Sequence, residues 1–100
     1  MFGKFAEAQK KAEEIKQRLE TITVTGEAEN GAVIVTANAN RKIQDIVIAD
    51  ALLADKEQLQ DILAVAINRA IENADKVSEA EMKALSSELL PGLGNLFGKG

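Results

Sequence analysis

The chain has 100 residues with 12 Lys and Arg against 16 Asp and Glu, a net charge of −4, three Phe, and no Cys, His, Tyr or Trp. That is the length of one domain. The missing residue types exclude disulfides, thiolate nucleophiles, Cys-ligated zinc and the usual histidine base or metal ligand. The acidic balance argues against indiscriminate binding of polyanions unless Lys and Arg are locally clustered. No apolar run approaches the roughly 20 residues that span a bilayer, and the opening MFGKFAEAQKKAEE lacks the apolar core of a signal peptide. A soluble, cytoplasmic protein with no membrane partner is the expectation.

Residues about 4–20, KFAEAQKKAEEIKQRLE, are rich in helix formers. Phe5, Ala8, Ala12, Ile15 and Leu19 recur at spacings of three and four, which predicts an amphipathic helix with one shallow apolar stripe. The period then changes to two. Short β-branched runs predict strands at about 21–25, 32–38 and 43–49. GEAENG and ANANRK between them read as turns, with Asn30-Gly31 the strongest signal. Short connections imply an antiparallel three-stranded meander. A second helix follows at about 55–87, with Asp55 as its N-cap and Gln58 at the capping-box position. Glu57 and Asp61 suit the positive end of its dipole, and Asp50 is expected to cap the turn before it. Residues 91–100, PGLGNLFGKG, read as a loose Gly-rich tail after a single domain of residues 1–90.

These elements make an α+β subunit of order α-β-β-β-α. A helix of this length is roughly 50 Å long, whereas a seven-residue strand covers only about 23 Å. The helix must overhang its sheet, and its distal Ile71, Ala74, Val77, Met82 and Leu85 need a cover that helix 1 and a second subunit can supply. A homodimer with long projecting helices is therefore expected.

Residues 24–70, VTGEAENGAVIVTANANRKIQDIVIADALLADKEQLQDILAVAINRA, resemble the YbaB/EbfC family of nucleoid-associated proteins. The resemblance rests on the opening MFGK, on VTGE leading to a Gly before a strand, and on IADALLADKEQLQDIL. Within and beyond the last of these, Asp50, Leu52-Leu53, Asp55-Lys56-Glu57, Asp61 and the AxNxA pattern at 66–70 fall in the family's order. It implies a subunit that dimerises through its sheet, with helices projecting like tweezers. It also implies duplex DNA as partner, a place in the bacterial nucleoid and an effect on gene expression.

The candidate DNA contacts are the basic residues. Helix 1 holds Lys4, Lys10, Lys11, Lys16 and Arg18, of which Lys4, Lys11 and Arg18 repeat every seven residues along one face. Glu7 and Glu14 interleave with that stripe and can pair with it, so a merely solvated face is the competing reading. Arg41 and Lys42 lie in the second turn, and Arg69 and Lys76 stand on helix 2 among acids. With no aromatic ring on the sheet, stacking on single strands is not expected, and contact should be to duplex phosphates with weak sequence preference. The acids Asp50, Asp55, Glu57 and Asp61 are accounted for by capping, and no Gly-rich phosphate loop opens a helix. No enzyme activity, cofactor, metal or small-molecule substrate is expected. The alternative is a dimeric adaptor that binds protein and touches DNA indirectly or not at all.

Overall fold

The computed structural model describes residues 2–89; the expected Gly-rich tail at 91–100 lies outside them. The elements are α1 (Phe2–Thr21), β1 (Thr23–Ala28), β2 (Val33–Asn38), β3 (Ile43–Ile48), a 3₁₀ helix (Asp50–Ala54) and α2 (Lys56–Leu89). The strands form one sheet in the order β1-β2-β3, both pairs antiparallel, so the α+β meander between two helices is as expected.

The first strand differs from the sequence expectation. α1 runs through Thr21, and β1 continues through Gly26, Glu27 and Ala28, which read as part of a turn. The turn is confined to residues 29–32, closed by the Ala32 N–H donating to Glu29 O at 3.1 Å. Glu29, Asn30 and Gly31 all take positive φ there, at 52°, 55° and 86°. Gly26 is in the sheet for a packing reason: it lies beneath α2, against the backbone of Ala66 and Ala70.

Asp50 also has a different place. It is the first residue of the 3₁₀ helix, whose N-cap position is Ala49 with no side-chain cap, so Asp50 does not cap that turn; buried Leu52 anchors the connection. Asp55 caps α2, its Oδ1 accepting the Gln58 N–H at 3.0 Å.

The core is small and aliphatic. Val33, Val35 and Ala37 of β2 meet Ile62, Ala66 and Ala70 of α2, with Ala28 and Leu52 at the margins. Alanine at 66, 70 and 74, each fully buried, lets α2 sit close to the sheet. α2 packs chiefly over β1, less over β2 and least over β3, where half-buried Ile48 reaches the core. A bulge between β2 and β3 pairs Ala37 with Ile43 and Val35 with Ile46. Ile43 therefore joins Ile46 and Ile48 on the helix side of the sheet, although a strict alternation would turn it away. Every residue of β3 is exposed or half-exposed.

α1 is fixed at its C-terminal end. Leu19 is buried, and its carbonyl and that of Ile22 share the Ala39 N–H at 3.1 and 2.9 Å. Asn40 Nδ2 donates to Lys16 O at 3.0 Å and Thr21 Oγ1 to Arg18 O at 2.7 Å, so orphan carbonyls of the last turn find donors. The second turn is organised by buried Asn38, whose Oδ1 accepts the N–H groups of Asn40 (2.9 Å) and Lys42 (3.1 Å). Beyond the sheet, α1 and α2 run together as a two-helix arm. The molecule measures 61 × 29 × 16 Å.

Candidate nucleic-acid interface

The basic side chains divide by type. The chain has three arginines, at 18, 41 and 69, and each is engaged by another part of the chain. Arg18 Nη2 reaches Glu81 of α2 at 3.1 Å. Arg41 Nη1 donates to Asp75 Oδ1 at 2.7 Å, from a turn position held at φ 67°. Arg69 Nη1 donates to the Glu27 carbonyl of β1 at 2.7 Å. The two ion pairs are exposed on the arginine side, so each contributes at most about 1 kcal/mol. They nevertheless set where the guanidinium groups point.

The lysines are placed differently. Lys4, Lys10, Lys16, Lys42 and Lys76 are exposed and stand in no ion pair among the described residues. Lys10 and Lys16 share one face of α1 with Ala6, Gln9 and Glu13, along a shallow depression. Lys11 and Arg18 lie toward α2 instead, lining a cleft of about 250 Å³ with Glu14, Ile15, Glu81, Ala84 and Leu85. Two of the three residues of the seven-residue stripe thus border the seam between the helices. The Asn40 bond to Lys16 O ties the turn that carries Arg41 and Lys42 to the C-terminal end of α1. Lys76 stands apart on α2.

Two features lay outside the reach of sequence reasoning. Arg18 is held by Glu81 and Arg41 by Asp75, both far away along the chain, whereas the acids beside the helix 1 stripe were Glu7 and Glu14. The second feature is β3. Ile43, Ile46 and Val47 are 36%, 39% and 53% exposed, and Leu53 just beyond is 65% exposed. An uncovered outer strand this apolar is unusual, because soluble proteins guard such edges with charge or cover. The bulge and the lean of α2 toward β1 produce it, and only the strand periodicity was visible beforehand.

Among the described residues no group of three or more His, Cys, Asp or Glu is placed to hold a metal ion. No described helix is long and apolar enough to cross a membrane.

The chain matches the YbaB/EbfC DNA-binding family over residues 1–89. A nucleoid-associated protein of Flavobacterium johnsoniae is 43% identical over 100 residues, covering 97% of this chain and 94% of that one. The nucleoid-associated protein TTHA1599 of Thermus thermophilus is 44% identical over 96 residues, covering 92% and 87%. Among solved structures, that of the uncharacterized protein HP0035 from Helicobacter pylori superposes with a TM-score of 0.70 at 27% identity, covering 88% of this chain and 90% of that one.

Proposed function

The chain belongs to the YbaB/EbfC DNA-binding family, and from that premise we propose that it acts in the bacterial nucleoid as a homodimer that holds duplex DNA by its backbone phosphates. The observation that carries this reading is the division of the basic side chains. Sequence readout in the major groove rests most often on arginine set bidentate against guanine, and all three arginines are engaged inside the chain. The unpaired cations are lysines, which act on phosphate as point charges and carry no sequence information. Lys10 and Lys16 on the outer face of α1 are the leading contacts, with Lys42 on the turn tied to its C-terminal end. Lys4 and Lys76 extend the set. Occupancy without strong sequence preference would affect gene expression by coating and shaping DNA.

The dimer follows from β3. Its apolar side chains and free edge suit a second copy of the same strand, and pairing there would sink Ile43 and Ile46 under a joint core. Two copies would also set two groups of lysines against one duplex, adding phosphate contacts that a single copy cannot make.

The test is a titration of a random-sequence duplex with nucleic-acid-free protein at rising salt. Binding that weakens steeply with salt and changes little between sequences is the expected result. No binding at low salt, or binding indifferent to salt, would overturn the reading.

A further inference from the structure

The chain treats the two edges of its sheet unequally. β1 and β3 are both outer strands, and an outer strand offers its free backbone groups to any strand that comes alongside. At β1 those groups are answered from above. Arg69 Nη1 donates to Glu27 O and Asn73 Nδ2 to Thr25 O, both at 2.7 Å. Thr25 and Glu27 are two apart, so their carbonyls point to the same side of the strand. Arg69 and Asn73 reach that side from one flank of α2. Asp75, which holds Arg41 at the β2–β3 turn, lies on the other flank, so the capped side is the outer one. At β3, among the described residues, no side chain from another element bonds to the strand backbone, and α2 lies chiefly over the other two strands.

We propose that Arg69 and Asn73 guard the β1 edge: by occupying its outward carbonyls they deny it to a strand from another molecule and leave β3 as the edge open to a second copy. This rests on the pairing through β3 proposed above. The consequence is closure. One open edge pairs with its own copy about a two-fold axis and is used up, whereas two open edges join head to tail and continue without limit. Charge is not what the two guards share, since Asn73 is neutral; each donates to an outward carbonyl. Arg69 is thereby assigned to the architecture, not to the DNA contact set.

The experiment is sedimentation velocity over a wide concentration range on the full chain, on Arg69→Ala/Asn73→Ala, and on Lys83→Ala as a control that removes a charge from α2 but caps nothing. The expected result is a wild type and control that stop at two chains. The double variant should pass beyond two and keep growing with concentration. A double variant that keeps its helical circular dichroism and the wild-type size distribution overturns the proposal. So does growth of the control, which would trace the effect to lost charge. If the wild type is a monomer throughout, pairing through β3 fails. In that case a double variant that still associates upholds the guard, and one that stays monomeric overturns it as well. Should the double variant lose its fold, Arg69→Met and Asn73→Ser singly decide in the same way, each removing one cap.

Discussion

Gly26 of β1 and Ala70 of α2 meet backbone to backbone: a Cβ on Gly26 would stand 2.2 Å from the Ala70 nitrogen and 2.3 Å from the Ala66 carbonyl oxygen. Neither obstacle is the movable end of a side chain. An added methyl must lift the helix from the strand, with the 2.7 Å bonds from Arg69 and Asn73 on either side of that point. Gly26→Ala is expected to cost about 3 kcal/mol or more, the upper end of overpacking effects. Urea unfolding followed by circular dichroism measures it. Gly3→Ala is the contrast, because nothing lies within 4 Å of a Cβ there; it should be neutral or slightly stabilising.

The same glycine marks what a sequence can disclose. Helical and alternating periods reveal α1, α2 and three strands, because they follow from which faces are buried. A glycine that opens a turn and one pressed against a helix look alike in one dimension. Gly26 therefore read as the opening of the turn when it is near the middle of β1. The Asn30-Gly31 signal was sound because its cause is local: both residues sit at positive φ.

Asn38 is 4% exposed and its Oδ1 accepts two backbone N–H groups of the β2–β3 turn. The turn in turn holds the end of α1 through Ala39 and Asn40. Asn38→Ala leaves both N–H groups without their acceptor in a partly buried place. The expected loss is about 1–3 kcal/mol, read from thermal or urea unfolding. Asn38→Asp, which keeps the acceptor, should lose less. A variant as stable as the wild type would show that the turn is held by the helix contacts alone.

Ile46 is 39% exposed on the helix side of β3, a strand that lies outside the main contacts of α2. Ile46→Lys should leave the monomer's fold largely intact. It should weaken self-association at least about tenfold, since burying such a side chain is worth about 1.5–3 kcal/mol and a buried lysine adds a further penalty. Sedimentation equilibrium of both proteins checks this. An unchanged dissociation constant would place the contact elsewhere, on the arm or at Leu53.

The candidate contacts were legible as residues but not as partners. Arg41 and Asp75 are 34 positions apart, and Arg69 and Glu27 are 42 apart. Nothing local announces such pairings, and the heptad of Lys4, Lys11 and Arg18 drew attention to the face that borders α2. The charge count alone cannot separate a cation spent on an acid from one left to solvent. Folding does so, and it leaves Lys4, Lys10, Lys16, Lys42 and Lys76 to solvent.

That selection yields the sharpest prediction. Lys10→Ala/Lys16→Ala removes two exposed cations from a face of α1 that packs on nothing, so stability should change by less than about 0.5 kcal/mol. If both touch phosphate, a dimer loses up to four contacts, and the slope of log affinity against log salt should shrink by up to roughly 3.6, at about 0.9 per contact. Arg18→Ala should behave in the opposite way. It strands Glu81, whose side chain is only 17% exposed, and should cost up to about 1 kcal/mol of stability, while the salt slope stays as in the wild type. Measuring both slopes and both unfolding curves separates contact from scaffold. A reduced slope in Arg18→Ala with an unaltered one in the lysine pair would reverse the assignment and put DNA in the seam between the two helices.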